Sequence, residues 1–243
     1  MRDTSLKALK IRRTLFVSLV LMALLVVGIS PDFLQDTPQV APLQKDVLSQ
    51  TIGGGELASE LLERLEVKGR APKTGYTRSE FGDGWGTVGG CDLRNIMLAR
   101  GMTNVELATD NCIVLKGNLV DPYTGKLIEF VRGNKTSSLV QIDHVVALSD
   151  SWQKGAQNID ASMRQKLAND PLNLLAVDGP ANQEKSDSDA ASWLPPNKAF
   201  RCQYVARQIA VKSKYGLWVT DAEKSAIIRV LNGCVGQVVP LLS

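Results

Sequence analysis

Apolar and polar residues follow different periods along this chain of 243 residues, and each period marks a different kind of segment. The run LFVSLVLMALLVVGI, Leu15 to Ile29, carries no charge and is apolar on every side. At 15 residues it is shorter than the roughly 20 that usually span a bilayer. Lys7, Lys10, Arg12 and Arg13 precede it, and a basic flank stays on the cytoplasmic side. The segment therefore reads as a signal peptide or an uncleaved signal anchor, VGISPDF being a poor cleavage site. In either case the rest of the chain is exported.

Residues 31–55 mix Pro, Gln, Ser and Gly without periodicity and read as a linker. Apolar positions at helical spacing then predict an amphipathic helix over Glu56 to Val67. A Gly-rich, aromatic loop, YTRSEFGDGWGTVGG, leads to a short helix in CDLRNIMLARGM, with Leu93, Ile96 and Met97 on its inner face. The period then falls to two. NCIVLKGNLV and KLIEFVRG, joined by the turn DPYTG, read as a β-hairpin in which Leu127, Glu129 and Val131 alternate with Ile128, Phe130 and Arg132. A further strand, SSLVQID, runs into His144, and Val145, Leu148 and Trp152 return to helical spacing. NDPLNLLAVDGPANQEK breaks into turns at Pro171, Gly179 and Pro180, and the polar stretch SDSDAASWLPP leads to two last helices. These are Cys202 to Lys214 and Asp221 to Leu231, the second capped by Thr220. No internal repeat interrupts this order.

Charge changes little in this picture. Five of the 28 Lys and Arg and one of the 25 acids lie in residues 1–30, leaving 23 basic against 24 acidic residues beyond them. The net charge of +3 is thus a topology signal rather than a sign of attraction to a polyanion. Cys91, Cys112, Cys202 and Cys234 are too widely spaced for a CxxC metal knuckle. In an exported chain they read as two disulfides, with proximity favouring Cys91 to Cys112 and Cys202 to Cys234 among three connectivities; four buried thiols are the alternative.

The chain holds a single histidine, His144, placed directly after Asp143 where a strand gives way to a helix. A lone histidine is ordinarily a surface or core residue, but Asn173 and Asn182 with Lys185 follow within one compact stretch. Asp143 and the Asn182 amide supply hard oxygens suited to a divalent cation, Mg²⁺ or Mn²⁺. A neutral imidazole beside such a cation can take a proton from an attacking water. Each asparagine also has the plainer reading of a turn residue.

DHVVAL, NLLAV and ANQEK, with WLPP and CQYV downstream and YTRSEFGDGW, CDLR and GNLVDPYTG upstream, resemble the HNH endonuclease superfamily, in particular an exported bacterial branch with the DHVVAL signature. The resemblance covers about residues 75–225. It implies that His144 is the general base, Asp143 a metal ligand, Asn173 the asparagine bracing the loop that holds the base, and Asn182 a second metal ligand. Lys185 matches the lysine that follows it. It implies no organic cofactor, and the missing CxxC pairs give no reason to expect structural zinc.

The expected fold is α+β: a ββα-metal core made of the strand before His144, the returning segment near Asn173 and the helix after it, with the DPYTG hairpin and further helices around it. The domain should occupy residues 56–243. The expected function is metal-dependent phosphodiester hydrolysis of DNA, or of RNA, by a protein secreted or anchored to the outer face of a bacterial membrane. Arg78, Arg94 and Lys185 are candidate phosphate contacts, although the two arginines would serve equally well in ion pairs with Glu80 or Asp92. Trp85, Trp152, Trp193 and Trp218 read as packing residues rather than base-stacking ones. The rival is a non-catalytic nucleic-acid-binding or envelope module on the same scaffold, favoured by the near-neutral charge.

Overall fold

The computed structural model describes residues 55–133 and 136–240. The apolar run Leu15 to Ile29 and the linker before Gly55 lie outside them. Among the described residues no helix is long and apolar enough to cross a membrane.

The chain enters through α1 (Ala58–Arg64), shorter than the periodicity predicts because Leu65 already has extended backbone angles. A bridge between Leu57 and Val238 ties this start to the far end of the domain. A 3₁₀ turn at Arg78–Phe81 and a two-strand ribbon, β1 (Thr87–Val88) with β2 (Cys91–Asp92), lead to α2 (Leu93–Gly101). The Asp92 carboxylate caps α2 by accepting from the Asn95 amide.

The DPYTG hairpin is present as β4 (Val114–Val120) and β5 (Leu127–Val131), paired from Lys116 with Val131 to Val120 with Leu127. A strand absent from the sequence reading, β3 (Met102–Leu107), adds to the outer edge of β4 in the order β3-β4-β5. Its pattern hid it: only Met102 is buried, so MTNVEL shows no alternation, and pairing with β4 rather than burial makes it a strand.

At the centre lies a second hairpin, β6 (Val140–His144) against β7 (Leu174–Asp178), with His144 opposite Leu174 and Asp143 opposite Leu175. Between the two strands run α3 (Leu148–Gln153) and α4 (Ala161–Ala168). Directly after β7 comes α5 (Gly179–Lys185), so strand, strand and helix form a ββα unit within an α+β fold. Both faces of this hairpin are covered, which explains its nearly continuous burial. Val140, Ile142, Leu174 and Ala176 pack with α2 and the three-stranded sheet. On the opposite side, Val145 and Val177 join the larger core built from α1, α6 (Arg201–Lys214) and α7 (Asp221–Leu231).

Gly179 sets how closely α5 approaches β6, since a Cβ there would lie 2.3 Å from the Ser138 carbonyl oxygen. Asp178 caps α5 through the Ala181 amide, and its own amide is held by Asp121 of the DPYTG turn. The turn and the helix are therefore fixed to each other.

Disulfides join Cys91 to Cys112, across β2 and the approach to β4, and Cys202 to Cys234, across α6 and the end of α7. Loops of this size stabilise by about 2–4 kcal/mol each. A buried charge cluster completes the frame. Lys154 lies 2.7 Å from each of Asp150, Asp189 and Glu223, while Lys212 reaches Glu223 at 2.9 Å and Arg70 reaches Asp189 at 2.8 Å. Asp150 Oδ1 and Glu223 Oε1 lack hydrogen-bond geometry, but a lysine lies within ion-pair distance of each. The cluster locks α3, the segment after α5, α6 and α7 together. Deleting one member would strand a buried charge, at a cost of about 3–5 kcal/mol.

Candidate functional site

The end of β6 and the start of α5 open onto a cavity of about 550 Å³ whose lining includes Asp143, His144, Asn182 and Arg78. His144 and Asp143 lie at its floor, 7% and 5% exposed.

The imidazole is held by two contacts. Its Nε2 lies 2.9 Å from the Ala168 carbonyl oxygen at the end of α4. A carbonyl only accepts, so Nε2 carries the proton and Nδ1 the lone pair. Trp85 lies parallel to the ring, 9° between planes and 5.8 Å between centroids. The loop bearing Trp85 is pinned beside the same helix end, where the Gly86 amide donates to Asn169 Oδ1 at 2.7 Å. Burial, helped by the charges of Arg78 and Lys185, pushes the imidazole pKa down to about 4 against the bond to Ala168. The ring is neutral at physiological pH.

Asn173 is fully buried and holds the backbone that follows His144. Its Oδ1 accepts from the Val146 amide at 2.8 Å, its Nδ2 donates to the Val146 and Leu167 carbonyls, and its own carbonyl accepts from Val145. It holds the backbone that follows His144 and does not line the cavity.

Asp143 is shared by two partners that the sequence did not reveal as such. Tyr123, from the DPYTG turn, donates its hydroxyl to Asp143 Oδ2. Lys185 places its Nζ 3.0 Å from Asp143 Oδ1 and 2.9 Å from the His144 carbonyl oxygen. Burial raises the Asp143 carboxyl above its ordinary value, opposed by Lys185 and by the Tyr123 hydrogen bond. The phosphate contact expected of Lys185 is corrected here: the side chain is fully buried, and its ammonium faces Asp143 rather than the solvent.

Asn182 donates from Nδ2 to Gln141 Oε1 at 2.9 Å, and its Oδ1 makes no hydrogen bond among the described residues. Beyond α5, Ser186 has φ 50° and ψ −125°, a conformation that costs a non-glycine residue about 1–3 kcal/mol. This bend carries Asp187 to the cavity, where it accepts from Ser149 and pairs with Lys73 at 3.1 Å.

Of the two arginines proposed from the sequence, Arg78 lines the cavity and Arg94 does not. Arg94 sits on α2 with its guanidinium 3.5 Å from the Ser137 carbonyl oxygen. Neither forms the ion pair weighed for it: Glu80 pairs with Arg164, and Asp92 caps α2. Trp152, Trp193 and Trp218 are packing residues, each 8% exposed.

A cation could draw on one carboxylate and one amide oxygen here. Asp143 retains acceptor capacity, because a carboxylate offers about four lone-pair sites and two are engaged. Among the described residues there is no cluster of three or more His, Cys, Asp or Glu arranged for a metal. Such a sparse oxygen set fits a hard cation that keeps most of its waters and takes further oxygens from a phosphate.

The β6–β7 hairpin and α5 bring Asp143, His144, Asn173 and Asn182 to one end of the fold. Residues 95–230 match the family described as GmrSD restriction endonucleases, C-terminal domain, and the chain belongs to that family. It is also 38% identical over 201 residues to an uncharacterized secreted protein of Arthroderma benhamiae, covering 82% of this chain and 92% of that protein. No solved structure matches the chain.

Proposed function

We propose that this protein is an exported, metal-dependent endonuclease of the HNH type that hydrolyses phosphodiester bonds in DNA or RNA. The observation that carries this reading is the state of His144. It is neutral, its Nε2 is committed to Ala168, and its Nδ1 is left to accept a proton. In the proposed step Nδ1 takes a proton from water while the water oxygen attacks phosphorus, and the leaving oxygen departs as its bond to phosphorus breaks. Asn173 keeps the ring's backbone in place, and Trp85 together with Ala168 fixes the ring plane. Asp143 and Asn182 would hold Mg²⁺ or Mn²⁺ through their oxygens, and that ion would offset charge on the phosphate and the leaving oxygen. Lys185, by neutralising Asp143 in part, favours a weakly held, exchangeable ion.

Family membership supports a nuclease, and the secreted relative supports export. The test is incubation of the purified protein with plasmid, single-stranded DNA and RNA, each with Mg²⁺, Mn²⁺ or EDTA. Cleavage that needs the cation and is lost in His144→Ala is the expected result. Binding of nucleic acid without cleavage under every condition would instead favour the non-catalytic module.

A further inference from the structure

The loop between the first 3₁₀ turn and α2 carries Trp85 to the face of His144, and the loop has little of its own to keep it there. Its ribbon, β1 with β2, consists of two residue pairs and turns at Gly89 and Gly90, both at positive φ. Thr87, Val88, Gly89 and Gly90 are all exposed. A two-stranded ribbon without a buried face is at best marginally stable by itself. What fastens it lies at its ends. The Gly86 amide donates to Asn169 Oδ1 at 2.7 Å, the Leu93 amide donates to the Gly86 carbonyl at 2.8 Å, and Cys91 is crosslinked to Cys112. Trp85 itself is partly buried against the core formed by α2 and the three-stranded sheet.

Cys112 stands on a firmer base. Asp110 Oδ1 accepts from the Cys112 and Ile113 amides at 2.9 and 3.1 Å, an Asx-type turn, and the chain then enters β4, the middle strand of its sheet. The crosslink therefore ties a ribbon without a core to a turn with a sheet behind it, just beyond the indole that covers the base. Cys202 and Cys234 join α6 to the end of α7 instead, and neither lines the cavity over His144. Cys91 and Cys112 are both half-buried, within reach of small thiols. A chain newly made in the cytoplasm meets a reducing thiol pool, and there the staple on the Trp85 loop is missing.

We propose that the Cys91–Cys112 disulfide is a positioning element for His144, acting through Trp85, so that the protein becomes fully active only once this crosslink has formed outside the cytoplasm. The link to cleavage rests on the nuclease reading, whereas the hold on the imidazole can be measured without it. With Trp85 released, the bond to Ala168 still holds Nε2 but lets the ring turn about it, and Nδ1 no longer keeps one direction. A misplacement of about 1 Å at a reacting group can cost on the order of 10²-fold in rate. The reverse step needs a dithiol. Its thiolate attacks one sulfur of the crosslink, the other sulfur leaves and takes a proton, and the second thiol of the reductant then displaces the first cysteine from the mixed disulfide. Two electrons and two protons pass to the protein, leaving two cysteine thiols, and the dithiol departs as its own disulfide.

The experiment compares the full oxidised chain with Cys91→Ser plus Cys112→Ser, with Cys202→Ser plus Cys234→Ser, and with Trp85→Ala. Plasmid with Mg²⁺ or Mn²⁺ gives kcat and KM, and a melting curve establishes that each protein is folded. The ring protons of His144, the one histidine of the chain, report by NMR how Trp85 lies on the imidazole, through the indole ring current. Losing the first pair should lower kcat by about 10–10²-fold with KM within about twofold, and should move the His144 signals to where Trp85→Ala puts them. Losing the second pair should lower Tm but leave the rate and the signals in place. In the Trp85→Ala background, removing the first pair should cost no more than about twofold further, and Trp85→Phe should restore most of the rate. Dithiothreitol added to the chain that lacks the second pair should reproduce the loss, and reoxidation should reverse it. A folded chain without the first pair that cuts at the wild-type rate, His144 signals that stay where they were, an equal loss of rate from the second pair, or a chain that cannot fold without the first pair would each overturn the proposal. Oxidised wild type that cleaves nothing while the His144 signals move as expected removes the nuclease reading and keeps the hold of the crosslink on the ring.

Discussion

Replacing Lys185 with methionine separates a lysine that serves the substrate from one that serves the fold. The side chain is fully buried, and its Nζ meets Asp143 Oδ1 at 3.0 Å and the His144 carbonyl at 2.9 Å. Methionine nearly fills the volume but leaves a buried carboxylate without its cation and a carbonyl without its donor. Breaking one side of a buried pair typically costs about 3–5 kcal/mol. For a domain of this size that corresponds to roughly 6–20 °C in Tm, at about 2–4 °C per kcal/mol. The loss has a pH signature. Burial already raises the Asp143 carboxyl, and removing Lys185 raises it further, so the penalty is largest where Asp143 must be charged and shrinks as pH falls and protonation relieves it. Asp143→Asn with Lys185→Met should recover part of the loss, with a coupling of about 0.5–3 kcal/mol in a double-mutant cycle. Urea melts of the four proteins at two pH values provide the assay. A Lys185→Met protein within about 1 kcal/mol of wild type, far below the penalty for a broken buried pair, would refute the placement of this lysine inside the fold.

His144→Ala should lower the cleavage rate by about 10²–10⁴ while the protein still melts cooperatively, and a folded variant cutting at the wild-type rate would remove the base from the mechanism. Asp189 supplies an acid-stability prediction. Burial alone would raise its carboxyl, but Lys154, the Ala191 amide and Arg70 outweigh burial and hold it at about 2. The stabilisation is therefore complete above the unfolded value near 3.9 and lost as pH falls through about 2, amounting to about 2 kcal/mol; a urea midpoint that stays flat from pH 5 to pH 2 would count against it. Gly179→Ala should cost about 1–3 kcal/mol and reduce cleavage, because the new Cβ meets the Ser138 carbonyl at 2.3 Å and displaces α5 with Asn182; unchanged melting and rate would show that the helix yields freely.

Elements that carry their own local signal were legible in the sequence. The last helix runs Asp221–Leu231 as its periodicity and cap predict, and the Thr220 hydroxyl does accept from the Glu223 amide. The DPYTG hairpin is equally plain, because its turn residues and its alternation agree. What escaped were parts whose reason for existing lies elsewhere in the chain. The helix Ala161–Ala168 buries only Leu167 and Ala168, so its pattern is nearly silent, yet its last carbonyl fixes the tautomer of His144. Tyr123 reads as one residue of a turn, and nothing local announces that its hydroxyl meets a carboxylate twenty positions later.

Lys185 shows the same limit from the other side. A motif fixes its distance along the chain from Asn182 but not which way a seven-residue helix turns, and that is decided by Gly179, which lets α5 close on β6 until the ammonium faces Asp143. Once the lysine is taken inward, Arg78 and Lys73 are the cations left on the cavity lining with access to solvent.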